Sequence, residues 1–301
     1  MPERPLPLRD GVAASSHWLP PGHWSCPLDY LCQQFAAISR SEWQQRLAGG
    51  LVVNDEGQPL AAGQPLLGNR RIHYYRALAI EPQLPGGEQI LYQDERLLVV
   101  DKPHFLPVAP TGRYLQQTLL TRLRLATGIA DLAPLHRLDR DTAGVMLFSL
   151  DAASRAAYVA LFAQRAITKS YQAIGRWQPQ LAAPMVHRSH IAAGELFFRM
   201  QEYPQRPANS ETRIELLERR GEWARYRLTP VTGRKHQLRV HLAALGAAIA
   251  HDRCYPELQP EAEDDLSRPL LLLAEQLSFV DPVSGEPRQF RSQRQLSWPV
   301  D

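Results

Sequence analysis

The sequence predicts a fold of the α+β class, because short strand-like segments and short helical segments both recur along the chain. Residues 51–54, 71–75 and 167–174 carry the apolar or alternating patterns of strands. Residues 28–35 and 115–126 place apolar side chains at helical spacing. With 301 residues, 44% hydrophobic and 22% charged, the chain is an ordinary globular protein with room for one large and one small domain.

The first third of the chain predicts an arm and a small domain. Residues 1–24 are rich in proline and glycine, have no periodicity and are predicted to be an extended arm. A helix follows from Leu28, and a second begins at Ser39, where Glu42 completes a capping box. The predicted boundaries are an arm at 1–24, a small domain with its linker at 25–87 and a large domain at 88–301.

The large domain is predicted to open with two short strands around an acidic turn, at residues 90–102. A helix is expected over 115–126, ending at Gly128. A further helix is expected after Asp151, which can serve as its N-cap, and should run to about Gln164.

Between these two helices, the stretch from His136 to Gly144 places Asp139 and Asp141 among basic neighbours, just before a predicted strand at 145–150. Neighbouring cations should keep at least one carboxylate ionised. An ionised carboxylate held at such a junction can act as a nucleophile, a general base or a metal ligand. A capped turn with surface ion pairs is the alternative interpretation, and the chemistry of this stretch does not decide between them.

Leucines at i, i+4 and i+7 predict a helix over residues 234–245, closed by Gly246. Its first turn, residues 234–236, is cationic against the helix dipole, which indicates an anion such as phosphate as ligand; a solvated basic face is the alternative. His236 and His241 are five residues apart and share neither a helix face nor a strand face, so no metal site is predicted.

These motifs carry a family resemblance. His136-Arg-Leu-Asp-Arg-Asp-Thr-Ala-Gly144 resembles the signature His-Arg-Leu-Asp-x-x-Thr-Ser-Gly of the RluA-type pseudouridine synthases. Residues 232–242 are nearly identical to another motif of that family, and 169–171 resemble its Lys-x-Tyr. The resemblance covers roughly residues 88–300. It implies a mixed, mostly antiparallel central sheet with flanking helices and an active site in a cleft across the sheet.

The resemblance also implies the roles of individual residues. Asp139 is expected to attack the nucleoside, at the sugar or at the base; Tyr171 to stack on the flipped base; and Arg239 to pair with Asp139 and keep it charged. Asp141 is then a turn-capping or ion-pairing neighbour. The predicted substrate and RNA contacts in this domain are His136, Arg137, Arg140, Lys169, Arg234, Lys235 and Gln237.

Weaker matches follow towards the end of the chain. Asp252 and Tyr255 fit the family's Gly-Asp-x-x-Tyr loop. The departures are Ala143, His251 and Leu273, which stand where serine, glycine and histidine are usual. None of them removes Asp139, Tyr171 or Arg239.

Residues 25–87 resemble a different family, the S-four-like RNA-binding domain, in their helix, Ser-Arg-Ser helix start, Gly-Gly and strand. Arg40 and Arg46 on the second helix are the predicted RNA contacts. Residues 1–87 have no net charge, however, so a purely structural appendage is the alternative to RNA binding.

The predicted function is that of an RNA pseudouridine synthase, an isomerase acting on a specific uridine of ribosomal or transfer RNA. The resemblance implies an isomerase that needs no cofactor, and the sequence agrees, since it shows no Walker loop, no dinucleotide fingerprint and no Cys/His metal cluster. The alternatives are a catalytically silent RNA-binding protein on the same scaffold and a carboxylate-dependent hydrolase such as a nucleosidase. The sequence does not say which RNA or which uridine is modified.

The remaining expectations concern location and assembly. A net charge of +3 is too small to predict nucleic-acid binding by itself. The sequence has no secretory signal, no apolar run of membrane-spanning length and an odd number of cysteines, three, at no ligand-like spacing. A cytoplasmic monomer with RNA as its partner and no membrane association is expected.

Overall fold

A computed structural model of the chain describes residues 6–78, 80–196, 198–260 and 265–299. The chain divides into two compact units: residues up to 82 together with 110–130, and residues 83–109 together with 131 onward. The grouping of residues 110–130 with the first unit differs from the predicted boundary at 87/88. The Glu81 carboxylate contributes to it, because it accepts the backbone N–H groups of Leu115, Gln116 and Gln117 at 2.7–3.0 Å.

The first unit contains two small antiparallel sheets and three helices. Its strands are β1 (Ser15–Trp18), β2 (His23–Trp24), β3 (Val52–Val53), β4 (Leu66–Leu67) and β5 (Arg71–Tyr74), paired in the orders β1-β5-β3 and β2-β4. Its helices are α1 (Pro27–Gln34), α2 (Arg40–Ala48) and α3 (Leu119–Thr127). Leu31, Trp43 and Ile72 are almost completely buried in its core.

Helix starts in this unit follow the capping rules. Ser39 caps α2 by accepting the Glu42 N–H at 3.2 Å, which confirms the predicted start. Helix α3 ends at Gly128, as predicted, in a left-handed C-cap with φ 72°. It begins at Leu119 rather than Leu115, because Thr118 provides the N-cap and the preceding backbone N–H groups bind Glu81.

The predicted extended arm is part of the first unit. Residues 15–18 are indeed extended, but they form β1 along β5, and Leu19 is fully buried. The Tyr75 hydroxyl donates to the carbonyl of Pro7 at 2.7 Å. The predicted arm at 1–24 is therefore extended at residues 15–18 but packs as part of the first unit, while residues 1–5 lie outside the described part of the chain.

The second unit is built on a ten-stranded sheet with the order β11-β14-β15-β10-β16-β9-β7-β6, to which β17 and β8 add beside β16 and β9. The strands of this unit are β6 (Gln89–Gln93), β7 (Leu97–Lys102), β8 (Ala133–Pro134), β9 (Ala143–Ser149), β10 (Thr168–Arg176), β11 (Met185–Ser189), β12 (Ile191–Ala193), β13 (Met200–Glu202), β14 (Ser210–Arg220), β15 (Trp223–Pro230), β16 (Leu272–Val280) and β17 (Pro287–Arg291). Strands β12 and β13 form a separate hairpin. The helices are α4 (Ala152–Ala163) and α5 (Gln237–Ala244).

The pairing within this sheet is antiparallel except between β9 and β16, which are parallel. The predicted class, α+β with a mixed and mostly antiparallel central sheet, is confirmed. One hydrophobic cluster packs α4 against the sheet through Tyr158, and another packs α5 through Leu238 and Leu242. No helix within the described residues is both long and apolar enough to cross a bilayer.

Candidate active site

The loop that carries Asp139 leaves β8 and returns as β9, and it is fixed at both ends. The Leu135 N–H donates to the Leu147 carbonyl at 2.9 Å, and the Leu147 N–H donates to His136 Nε2 at 3.1 Å. The His136 ring stacks on Phe162 of α4 with centroids 4.8 Å apart. Burial lowers the pKa of His136 to about 4. His136 is therefore a neutral, structurally engaged ring beside the loop.

A buried lysine supports the same loop from inside the unit. Lys102 is completely buried, and its ammonium donates to the carbonyls of Pro103, Leu106 and Arg140, each at 2.9 Å. Burial lowers the pKa of Lys102 to about 7 against the opposing charges of Asp141 and Asp139. The contact with Arg140 ties the backbone next to Asp139 to the end of β7.

Asp139 faces three basic side chains at distances longer than hydrogen bonds. Its Oδ2 lies 3.7 Å from Arg239 Nη1 and 3.9 Å from His236 Nε2. Its Oδ1 lies 3.9 Å from Nη2 of Arg137, whose side chain is 66% exposed. The Asp139 side chain is 18% exposed, so its oxygens are reachable from solvent. A carboxylate whose basic neighbours in the described part of the chain stay 3.7–3.9 Å away is available for chemistry.

Arg239 has a closer partner than Asp139. Its Nε and Nη2 donate to the two carboxylate oxygens of Asp252 at 2.8 and 2.6 Å. Burial would lower the pKa of Arg239, but its hydrogen bonds and charge interaction with Asp252 raise it above its usual value. The expected pairing with Asp139 is thus a second, looser contact. The sequence did not predict this role of Asp252. Its position in a Gly-Asp-x-x-Tyr-like loop indicated that it matters, but not that Arg239 is its partner.

His236 stands directly before α5 with a left-handed backbone, φ 56°. Its Nδ1 lies 2.9 Å from the hydroxyl of Tyr255, and burial lowers its pKa to about 4. The sequence indicated His236 only as part of a cationic turn that could bind an anion, and Tyr255 only as part of a Gly-Asp-x-x-Tyr-like loop; it did not predict that either residue would face Asp139. A positive φ at a non-glycine residue cannot be read from the local pattern.

Strand β10 contributes the aromatic side of the site. Lys169 and Tyr171 lie two residues apart and both line the same cavity, as expected of one strand face. Burial, and the negative charge of Asp139, raise the pKa of the Tyr171 phenol, so it stays protonated at neutral pH. Burial lowers the pKa of Lys169.

These side chains surround a cavity of about 450 Å³, which is within the range of small-molecule sites. All three predicted catalytic residues, Asp139, Tyr171 and Arg239, line it. The predicted contact residues that line it are His136, Arg137, Lys169, Arg234, Lys235 and Gln237. The cavity therefore unites motifs that are separated by up to a hundred residues in the sequence.

Three expectations about this site need correction. Helix α5 begins at Gln237, so the basic residues 234–236 form a loop before the helix and not its first turn. Arg140 does not line the cavity; it donates to Asp141 at 2.9 Å. The buried Gln237 amide donates to the Glu211 carbonyl and the Thr212 hydroxyl, which leaves it a structural role at the cavity wall.

The structure also bears on the two RNA contacts predicted in the first unit, Arg40 and Arg46. Arg46 is buried, pairs with Glu42 and lies over the Trp43 ring, so it is not accessible to a phosphate. Arg40 is 58% exposed and pairs with Asp29 at 2.9 Å. Helix α2 therefore exposes fewer positive charges for binding RNA than its sequence suggests.

Among the described residues, His187, Glu202 and His241 bring three potential metal ligands within 4.8 Å of one another. Hydrogen bonds within the protein already engage them: His187 Nε2 lies 2.8 Å from Glu202 Oε1, and the fully buried His241 contacts the Thr212 hydroxyl at 2.9 Å. His241 is thus a buried, hydrogen-bonded structural residue, in contact with the hydroxyls of Thr212 and Ser210.

The class of protein follows from the sheet and the site together with the matches to known proteins. Residues 96–244 match the family model described as RNA pseudouridylate synthase. The dual-specificity RNA pseudouridine synthase RluA of Haemophilus influenzae is 33% identical over 70% of this chain and 95% of its own length. The chain belongs to the RNA pseudouridylate synthase family and is of the RluA type.

Two further matches agree. Ribosomal large subunit pseudouridine synthase C of Escherichia coli (strain K12) is 34% identical over 69% of this chain and 68% of its own length. The solved structure of human RNA pseudouridylate synthase domain containing 1 matches with a TM-score of 0.56 and 25% identity, over 71% of this chain and 86% of that one. The predicted family and enzyme class, an RNA pseudouridine synthase and hence an isomerase, are confirmed. The S-four-like character of residues 25–87 stays a prediction.

Proposed function

We propose that this protein converts a specific uridine in ribosomal or transfer RNA to pseudouridine, with Asp139 as the nucleophile. The observation that carries the proposal is the meeting of Asp139, Tyr171 and Arg239 at one cavity of about 450 Å³. A uridine inside a helix or a stacked loop cannot reach such a cavity, so the target nucleotide must be flipped out of its stack. The cavity volume suits one nucleoside.

The reaction is an isomerisation in which no atom is gained or lost. The Asp139 carboxylate attacks the nucleoside, at the sugar or at the base, and the bond between N1 of uracil and C1′ of ribose breaks. The detached uracil turns, and its carbon 5 forms the new bond to C1′. The proton on carbon 5 leaves, N1 takes up a proton, and Asp139 is regenerated. Side chains alone supply this chemistry.

The surroundings of Asp139 support this role. The guanidinium of Arg239 is held by Asp252, so it orients Asp139 from 3.7 Å while its charge is shared between two carboxylates. Tyr171 lines the same cavity as Asp139, and its ring, with the phenol in its neutral form, is the proposed surface on which the flipped base stacks.

Basic side chains around the cavity opening are proposed to bind the RNA backbone. Arg137 is 66% exposed, Arg234 is exposed, and Lys235 is partly exposed on the loop before α5. RNA is recognised largely by its shape, phosphates and ribose, which suits these flexible cations. We also propose that the protein is a cytoplasmic monomer and that its first unit binds RNA.

The test is tritium release from RNA labelled at carbon 5 of uridine, followed by analysis of the nucleosides. A synthase releases tritium and yields pseudouridine with no free uracil. A nucleosidase yields free uracil, and a silent RNA-binding protein yields neither product; either result contradicts the proposal. Mapping pseudouridines in the total RNA of a strain that lacks this gene then identifies the substrate.

A further inference from the structure

A chain of three polar groups leads to Asp139. The backbone N–H of Met200 donates to the Tyr255 hydroxyl oxygen at 2.8 Å. The same hydroxyl lies 2.9 Å from Nδ1 of His236, and Nε2 of His236 lies 3.9 Å from Oδ2 of Asp139. Three separate segments, β13, the loop after α5 and the residue before α5, contribute these groups.

The direction of each hydrogen bond in this chain can be deduced. The Met200 N–H is always a donor, so the Tyr255 oxygen accepts from it. Burial raises the pKa of Tyr255 to about 12, so its hydroxyl keeps its proton, and the acceptor in reach is His236 Nδ1. Burial also lowers the pKa of His236 to about 4, so at neutral pH its ring carries one proton.

That single proton is then on Nε2, the nitrogen that faces Asp139. The opposite tautomer would place a lone pair of Nε2 against a carboxylate oxygen and would compete with Met200 for the Tyr255 oxygen. The surroundings of the His236 ring restrict its rotation. The His236 side chain is 11% exposed, its backbone is left-handed, and its ring meets Tyr255 edge-on with centroids 5.7 Å apart.

We propose that Tyr255 holds His236 in the Nε2–H tautomer, and that this N–H is a positioning group for the Asp139 carboxylate. The proposal rests on the proposed function of Asp139. His236 is neutral, and Arg239 shares its charge with Asp252 at 2.6 Å. The other cation in contact distance is the solvent-exposed Arg137, 3.9 Å from Asp139 Oδ1. His236 and Arg239 thus orient the carboxylate of Asp139: His236 adds no charge, and the positive charge of Arg239 is balanced by the nearby Asp252.

His236 and Arg239 are expected to move closer to Asp139 when the substrate enters. The separations of 3.7 and 3.9 Å at Asp139 Oδ2 are somewhat longer than hydrogen bonds. Catalytic hydrogen bonds are often long before the substrate binds and shorten in the complex. The His236 N–H is therefore expected to reach Asp139 when RNA fills the cavity and excludes water.

The tautomer can be read directly by NMR of the full-length protein labelled with ¹⁵N-histidine. His236 is assigned by the resonances that disappear in His236→Gln. We expect a protonated Nε2 and an unprotonated Nδ1 in the unsubstituted protein. In Tyr255→Phe the Nδ1 atom loses its donor, and we expect a mixture of tautomers. A protonated Nδ1 in the unsubstituted protein overturns the proposal, whatever the activity.

Kinetics then test the positioning role. Tyr255→Phe and His236→Ala are each expected to lower kcat about tenfold, the loss of one hydrogen bond to a charged group, with KM for RNA unchanged. His236→Gln, whose amide N–H can replace Nε2–H, should recover most of the loss. Full kcat in His236→Ala, or a Gln variant no better than the Ala variant, contradicts the proposal.

Tyr203→Phe is the matched control. Its hydroxyl donates to the Ala193 carbonyl at 2.8 Å outside the cavity, so the variant should keep both the His236 tautomer and kcat. If the unsubstituted protein releases no tritium at all, the proposed function fails, while the nitrogen resonances still decide the tautomer.

Discussion

Asp139 is oriented by neighbours that stay at ion-pair distance, while those neighbours are held tightly by other groups. Arg239 is fixed by Asp252 at 2.6 and 2.8 Å, against 3.7 Å to Asp139. His236 is fixed by Tyr255 at 2.9 Å, against 3.9 Å to Asp139. Rigid partners placed around a reactive group reduce the reorganisation needed in the transition state.

Tyr171 has two separable properties, a stacking ring and a hydroxyl. Tyr171→Ala removes the ring and should weaken binding of substrate RNA about tenfold, since base–aromatic stacking contributes about 1–3 kcal/mol. Tyr171→Phe keeps the ring and should bind RNA normally, so any change in its kcat reports on the hydroxyl. Fluorescence anisotropy with a labelled substrate RNA measures both affinities.

A Tyr171→Phe variant that binds RNA as weakly as Tyr171→Ala would contradict the stacking role. In that case the hydroxyl, and not the ring, would be the group that the RNA contacts.

At the scale of elements, the parallel pairing of β9 with β16 joins the end of the Asp139 loop to the centre of the sheet. Gly144 and Ala274 are partners in that pairing. A Cβ atom on Gly144 would lie 2.2 Å from the Ala274 carbonyl oxygen, and its φ of 116° disfavours any other residue. The glycine that ends the motif is thus required by the close approach of two backbones.

Gly144→Ala is expected to lower the free energy of unfolding by about 3 kcal/mol, because the contacting atom is backbone and cannot rotate away. The urea midpoint of the second unit measures this loss. Gly221→Ala is the control: its φ is also positive, 57°, but its Cβ would meet nothing within 4 Å. The control should lose only about 1 kcal/mol. Equal losses in the two variants would contradict the clash.

At the scale of the whole molecule, buried neutral histidines make stability depend on pH. Burial lowers the pKa of His104, His136, His236 and His241 from 6.5 to about 4. Between pH 6.5 and 4 the unfolded chain therefore binds protons that the folded chain does not bind. The free energy of unfolding should fall as the pH falls through this window, by up to roughly 3 kcal/mol per histidine.

Urea unfolding at several pH values between 7 and 4.5 measures this dependence. His136→Gln removes one titrating group and should flatten the profile in the same window. A profile that is already flat in the unsubstituted protein would show that these rings are not buried in their neutral form.

Much of the fold and the site was predictable because the motifs are local. Residues 136–144, 169–171 and 232–242 each resemble a family motif closely enough to nominate Asp139, Tyr171 and Arg239 as site residues. Contacts between distant segments were not predictable. The Arg239–Asp252 pair depends on how α5 meets the following loop, and the burial of Arg46 depends on which face of α2 meets the core. Neither of these packing arrangements can be predicted from the residues next to Arg239 or Arg46 in the sequence.

The central claim is that Asp139, and not its neighbour Asp141, attacks the nucleoside. Single-turnover tritium release by Asp139→Asn and Asp141→Asn tests it most directly, since each variant removes one charge with little change in shape. The Asp141 carboxylate pairs with Arg140 and does not line the cavity. We expect Asp139→Asn to release no tritium while binding RNA normally, and Asp141→Asn to retain most of the release. Full release by Asp139→Asn would contradict the account.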